Sequence, residues 1–186
     1  SGCFSIDEVV VHGIPGKREL REGEIIGIDV GTLIDGFYGD AARTFPVGEI
    51  PFEKQRLIQT AQDCFWKGME FAKPGKRLTD ISHHIQKVVE GRGFSVVRAL
   101  VGHGIGTNLH EEPQVPNYGA PGMGPKLKTG MVIAVEPMIN IGTYEVNVLK
   151  DGWTIVTTDN QPSAHYENTI AITDENGPEI LTLVDE

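Results

Sequence analysis

The apolar positions of this 186-residue chain change period along its length. Between residues 52 and 72, Leu57, Ile58, Ala61, Cys64, Phe65 and Met69 follow helical spacing, which predicts an amphipathic helix stopped by Pro74-Gly75. A second helix is predicted from a cap at Thr79 through Ile81, Ile85, Val88 and Val89 to Gly91 and Gly93. Ahead of the helices the pattern is that of strands. Val9, Val10 and Val11 form a β-branched run broken by Gly13-Ile14-Pro15-Gly16, and residues 24–30 and 37–47 read as strands about an Asp35-Gly36 turn. After the helices, strands are predicted over 94–101, 131–139, 144–150, 153–158, 166–173 and 179–184. A glycine-dense strand or bend is expected at 102–106 and a Pro/Gly-rich loop over 111–130. Strands, two helices and strands again predict an α+β fold, with helices packed on one face of a mainly antiparallel sheet.

The Asp35-Gly36 turn sets a register. With those two residues as the loop, Ile34 faces Phe37, Asp29 opposes Ala42, and Asp40 lies two residues from Ala42. The two aspartates then share a sheet face as diagonal neighbours, roughly 7–8 Å apart at the backbone. A slip of one residue would put them on opposite faces. Ile26, Ile28 and Val30 are expected to line the other face and supply its apolar packing. Asp is a poor strand former, and two on one face repel each other unless a cation lies between them.

Five side chains that suit hard or borderline ions sit in strands or at strand ends: Asp29, Asp40, His103, Glu136 and Glu167. Oxygen-rich donors favour Mg, Mn, Co or Fe(II) over thiolate-seeking ions. The four carboxylates carry four negative charges, which two divalent ions would cancel. One His among four carboxylates is the balance of a two-metal hydrolase, not of a structural zinc site.

Composition narrows the function classes. The net charge is −10, which argues against a nucleic-acid partner, because backbone binding needs a basic face. The excess is uneven: residues 1–93 hold 12 basic and 14 acidic side chains, residues 94–186 hold 4 and 12. Several of those acids are the proposed ligands. No apolar run approaches the roughly 18 residues of a membrane span, and no secretory leader is evident at the start. The two cysteines, Cys3 and Cys64, are expected to stay reduced in a cytoplasmic protein.

Seven motifs occur in order: Val11-His12-Gly13-Ile14-Pro15, Ile28-Asp29-Val30, Gly39-Asp40, Gly102-His103-Gly104-Ile105-Gly106, His110-Glu111-Glu112-Pro113, Glu136-Pro137-Met138 and Tyr166-Glu167-Asn168-Thr169-Ile170. Together they resemble the methionine aminopeptidases. The short span from His110 to Glu136 resembles the type I branch. The resemblance implies the pita-bread fold, with helices on the convex side of the sheet and a dinuclear centre in the cleft. It implies removal of the N-terminal methionine from nascent polypeptides by metal-activated hydroxide, with two divalent ions drawn from Mn, Fe, Co or Zn. It also implies that Asp29, Asp40, His103, Glu136 and Glu167 are the ligands, that Asp40 and Glu167 bridge both ions, and that His12 and His110 act without binding metal.

On that resemblance Glu136 moves the proton from water to the leaving amine, His110 donates to the developing oxyanion, and His12 bonds the substrate amide beyond the cleaved bond. Cys3, Leu109 and Trp153 are expected near the substrate pocket, Trp153 with a core position as its alternative. Leu109 stands where the family commonly has an aromatic residue, and Gly31 where a hydroxyl residue is frequent. His83 and His84 read as structural residues of the second helix, Glu111 and Glu112 as solvated or supporting acids, and His165 has no matching role.

Two other readings compete. An Xaa-Pro aminopeptidase or prolidase relative would share the five ligands, and a non-catalytic pita-bread binding module would typically have lost some of them. Expected partners are peptides with an N-terminal Met and, by extension, the ribosome. The 186 residues are expected to form a single catalytic domain lacking an N-terminal segment of the family fold, because residues 7–11 have no evident strand partner ahead of them.

Overall fold

The computed structural model describes residues 2–174 and 176–183. In chain order its elements are β1 (Gly2–Ile6), β2 (Val9–Val11), β3 (Ile25–Ile34), β4 (Phe37–Pro46), α1 (Phe52–Met69), α2 (Leu78–Gly91), β5 (Ser95–Val96), β6 (Gly102–Gly104), β7 (Glu111–Val115), β8 (Val132–Val135), β9 (Met138–Asn140), β10 (Val146–Val148), β11 (Ile155–Thr157), β12 (Ser163–His165), β13 (Glu167–Asp174) and β14 (Gly177–Ile180). An eight-stranded sheet runs β1-β3-β4-β13-β8-β6-β7, with β14 also paired to β13. Two smaller sheets, β10-β11-β2 and β12-β9-β5, complete it. Every pairing between these strands is antiparallel.

The hairpin forms in the expected register. Asp35 and Gly36 take φ of 50° and 85°, both left-handed, as a two-residue turn with the twist of its strands requires. Ile34 pairs with Phe37 and Asp29 with Ala42. The packing of β3 departs from expectation. Ile26 is buried, but Val30 is 42% exposed, and it is Ile25 that enters the helix core. The register with β4 is unbroken from Ile25 to Ile34, so the alternation holds throughout; what changes along the twisted ten-residue strand is what each face packs against.

α1 and α2 pack together through Leu57, Ala61 and Phe65 on one side and Ile81, Ile85 and Val89 on the other. Beneath them lie Ile133 and Val135 of β8 and Ile170 and Ile172 of β13. Cys64 is buried in this core, and both cysteines are free thiols. α1 ends three residues short of the predicted limit. Thr79 is not the cap of α2, which begins at Leu78. The Asp80 carboxylate accepts from the Arg77 N–H at 2.8 Å, while the Thr79 hydroxyl donates to the Met123 carbonyl of the following loop.

Tertiary pairing redraws the second half. Of the predicted 94–101 strand only Ser95–Val96 forms. Glu111–Val115, expected in a loop, forms β7 against β6. The run 131–139 divides at Glu136-Pro137, since Pro has no N–H for the ladder, and its halves enter different sheets. The predicted 166–173 strand forms as β13, Glu167–Asp174, and just ahead of it Ser163–His165 forms an unpredicted strand in the β12-β9-β5 sheet. β2 finds its partner late in the chain, at Ile155 and Val156 of β11. The end of the predicted 179–184 strand lies outside the described residues. No described helix is long and apolar enough to cross a membrane.

Candidate metal centre

Three carboxylates converge through register alone. Ala42 of β4 is paired with Asp29 on one side and Glu167 on the other, so both side chains share its face. Asp40, two residues along β4, joins them. In β13, Glu167 and Thr169 alternate with Ile170 and Ile172, which turn toward the helices. The acids therefore occupy the side of the sheet away from α1 and α2. Thr169 fixes Asp40 by accepting from its N–H at 2.8 Å and donating to its carbonyl at 2.9 Å. The Arg43 guanidinium donates to the Glu167 carbonyl and to Asn168 Oδ1, and stacks over the Tyr166 ring.

His103 arrives on β6, between two glycines that permit the approach. A Cβ on Gly102 would meet the Ala134 carbonyl oxygen at 2.4 Å, and one on Gly104 would meet that of Glu112 at 2.1 Å. Only glycine lets β6 lie this close to its neighbours. His103 Nδ1 lies 2.9 Å from the Gly104 carbonyl. A proton on Nδ1 would leave Nε2 as the donor to a metal. Glu136 stands where the chain leaves β8, its carbonyl accepting from Asn117 Nδ2 at 3.0 Å.

Two overlapping sets of donors result. Asp40, His103 and Glu167 place one ligand atom each within 4.8 Å of one another, and so do Asp29, His165 and Glu167. Glu136 flanks both sets, with Oε1 3.6 Å from His103 Nε2 and Oε2 3.6 Å from His165 Nε2. His165 is thus drawn into the centre although sequence reasoning gave it no role. The available signal was its position two residues before Glu167 in a strand-like run, since alternate residues share a face.

A cavity of about 160 Å³ opens beside these groups, lined in part by His12, Asp29, His103, His110, Glu136 and His165. The His110 ring centroid lies 4.2 Å from that of His103. The preceding loop is tied by Glu111, which accepts from the Asn108 N–H at 2.8 Å. Trp153 is no core residue. It is 52% exposed and stacks on His12 at 4.3 Å between ring centroids, its turn held by the Asp151 carboxylate. Cys3 pairs with Asp29 across β1 and β3, and Leu109 approaches Gly31 of β3. His83 and His84 stay on α2, where His84 stacks on Phe71.

Electrostatics explain why such a cluster needs a cation. Burial pushes Asp40 up to about 6, with the Asp29 and Glu136 carboxylates adding to the shift. Burial, followed by Glu136, Asp40 and Asp29, raises Glu167 well above the ordinary carboxylate range. Asp40 Oδ1 is buried with no hydrogen-bond partner among the described residues, as expected of an oxygen aimed at a cation. The donor set therefore fits divalent metal. Burial and neighbouring His103 lower His110, which keeps its ring neutral near pH 7.

A stability prediction follows. A carboxyl whose pKa is higher folded than unfolded binds its proton more tightly in the folded state. Its stabilising contribution is present below the unfolded value and is lost as pH rises through the folded one. The metal-free protein should therefore melt at a higher temperature at pH 5.5 than at pH 7, in scanning calorimetry. At pH 7, metal at a hundred times its Kd should add about 2.7 kcal/mol per site, or roughly 5–10 °C. A metal-free melting temperature that falls between pH 7 and 5.5 would contradict this account.

The antiparallel sheet gathers buried acids and imidazoles into overlapping ligand sets, an arrangement that suits a metal-dependent hydrolase. The model of Metallopeptidase family M24 matches residues 2–174. The chain belongs to that family. It is 57% identical over 182 residues to a methionine aminopeptidase of Clostridium perfringens, covering 98% of this chain and 73% of the relative. It is 53% identical over 182 residues to methionine aminopeptidase 1 of Bacillus subtilis, with the same coverage of each. A methionine aminopeptidase structure from Thermotoga maritima superposes with a TM-score of 0.96 at 49% identity, covering 98% of this chain and 74% of that one. A prolidase from Pyrococcus horikoshii, at 22% identity and a TM-score of 0.76 over 100% of this chain and 48% of its own, shares the fold alone.

Proposed function

We propose that this protein is a methionyl aminopeptidase that hydrolyses the first peptide bond of polypeptides beginning with Met. The observation that carries the reading is the pair of donor sets sharing Glu167 around Ala42, in a chain 57% identical to a methionine aminopeptidase. Asp29, Asp40, His103, Glu136 and Glu167 would hold two divalent ions. When bound, such ions lower the pKa of water toward neutrality and polarise a carbonyl oxygen.

The remaining work falls to this chain's own residues. Glu136, on the rim of the cavity, takes the proton from the attacking water and returns it to the leaving amine. His110, neutral near pH 7, donates to the oxygen of the scissile carbonyl as charge develops there. His12 hydrogen-bonds the amide beyond the cleaved bond, its ring kept in place by Trp153. Cys3, Leu109 and Trp153 flank the space for the methionine side chain. Nascent chains met at the ribosome in the cytoplasm are the substrates on this reading; the names of the relatives support the methionine-terminated substrate.

The test is a peptidase assay on metal-reconstituted protein. Chelation should abolish Met release from Met-Ala-Ser, and Mn, Co or Fe(II) should restore it. Met-Ala should be turned over faster than Met-Lys, and Ala-Pro peptides should be left intact. Release that survives thorough chelation would refute the metal dependence, and preference for Ala-Pro would move the chain to the Xaa-Pro branch.

A further inference from the structure

His12 takes φ of 63°, in the left-handed region where few non-glycine residues are found and where the surroundings must hold them. Its backbone is held from both sides. Val11 pairs with Ile155 of β11. Beyond His12, the Gly13 N–H donates to Ser5 Oγ at 3.2 Å, and the Gly13 carbonyl accepts from the Phe4 N–H at 2.8 Å. The ring is anchored differently. Among the described residues the imidazole makes no hydrogen bond, and it rests on Trp153, with 4.3 Å between ring centroids and 15° between planes. That indole is itself 52% exposed and stands on the turn between β10 and β11. A half-exposed side chain on a turn can orient a neighbour only if the turn is rigid.

Residues 149–154 supply that rigidity around one carboxylate. Asp151 Oδ1 accepts from the N–H groups of Trp153 and Thr154, both at 2.9 Å, and Oδ2 accepts from the Thr154 hydroxyl at 2.6 Å. The Leu149 N–H donates to the Thr154 carbonyl at 2.8 Å, and Gly152, at φ of 70°, donates to the Leu149 carbonyl at 2.9 Å. The Thr154 hydroxyl, followed by the backbone donors, holds the Asp151 carboxyl below its ordinary range, so it is ionised and accepting at neutral pH. Thr154 is buried, and its Oγ1 also lies 3.4 Å from the His12 carbonyl oxygen. A hydroxyl has a single proton, and the shorter bond to Asp151 takes it. Thr154 therefore ties the turn to the strand end that carries the imidazole.

We infer that Asp151 and Thr154 are positioning residues for the reaction: they fix the Trp153 turn, and the indole holds the His12 imidazole where it meets the substrate amide. The inference rests on the role proposed for His12 above. It gives the exposed Trp153 a task distinct from flanking the methionine side chain. It also makes the effect depend on the substrate, because only a peptide with an amide beyond the cleaved bond engages His12.

In the metal-loaded protein, Asp151→Ala should lower kcat/KM on Met-Ala-Ser by about 10–100-fold, the scale on which small misplacements act. Asp151→Asn keeps an oxygen for the two N–H groups and an amide N–H for the Thr154 hydroxyl, so it should retain most of the activity. Made in a His12→Ala background, Asp151→Ala should cost less than about twofold more. A methionyl anilide, which has no amide beyond the cleaved bond, should be turned over alike with and without Asp151→Ala. Equal losses in both backgrounds or on both substrates, or no loss at all, overturn the inference and leave the role of His12 standing. His12→Ala without effect on Met-Ala-Ser removes that role and the inference with it.

Proton NMR of the metal-free protein needs neither metal nor turnover. The His12 ring protons, identified by their absence from the His12→Ala spectrum, should be displaced upfield by the stacked indole. The displacement should vanish in Asp151→Ala and persist in Asp151→Asn. Ring protons unmoved by Asp151→Ala overturn the inference whatever the peptidase assay gives.

Discussion

Glu167→Gln should nearly silence Met release from Met-Ala-Ser and lower the content of both metal ions together. Glu167 is common to the two donor sets, is only 2% exposed, and carries a pKa raised by burial first and then by three neighbouring carboxylates. Losing its charge weakens both positions at once. Groups one bond further from an ion typically cost 10–100-fold in affinity or activity, so the loss here should exceed about 100-fold. Elemental analysis after gel filtration, beside the peptide assay, makes the check. If only one ion is lost, Glu167 is not shared, and the placement of the two sets around Ala42 is wrong.

His110→Ala should behave differently, cutting kcat by about 10²–10³-fold while leaving metal content intact. Its ring packs against His103 without belonging to either donor set. It lines the cavity, where a neutral imidazole can donate to an oxyanion. The interaction strengthens as charge develops, so the cost should fall on kcat more than on KM. A fall in metal content would make His110 a ligand. A change confined to KM would make it a binding residue instead.

Local rules carried much of this protein on their own. The Asp35-Gly36 turn fixes the pairing of β3 and β4 because only a left-handed pair closes a two-residue hairpin with the right twist. Asp29 and Asp40 therefore fell on one face before any tertiary contact was known. The helices were legible from their 3.6-residue period and their Pro/Gly stops. The ordered motifs pointed to the fold and to the metallopeptidase family.

What local rules could not supply was partnership between distant segments. That β2 pairs with β11, or that Glu111–Val115 becomes a strand, depends on backbone groups more than a hundred residues away in one case and on glycine-permitted approach in the other. A proline breaks a strand locally, but nothing near Glu136-Pro137 says that the two halves enter different sheets beside the crossover at Tyr166. That crossover brings the unpartnered Nε2 of His165 to Glu136 and Glu167, and Thr44, from a strand 121 residues earlier, holds it there. The sequence by itself determined the family, the hairpin and the types of donor, because turns, periods and motifs are properties of neighbouring residues. Only the tertiary structure decided which donors meet, because the face a side chain shares depends on which strands pair across the whole chain.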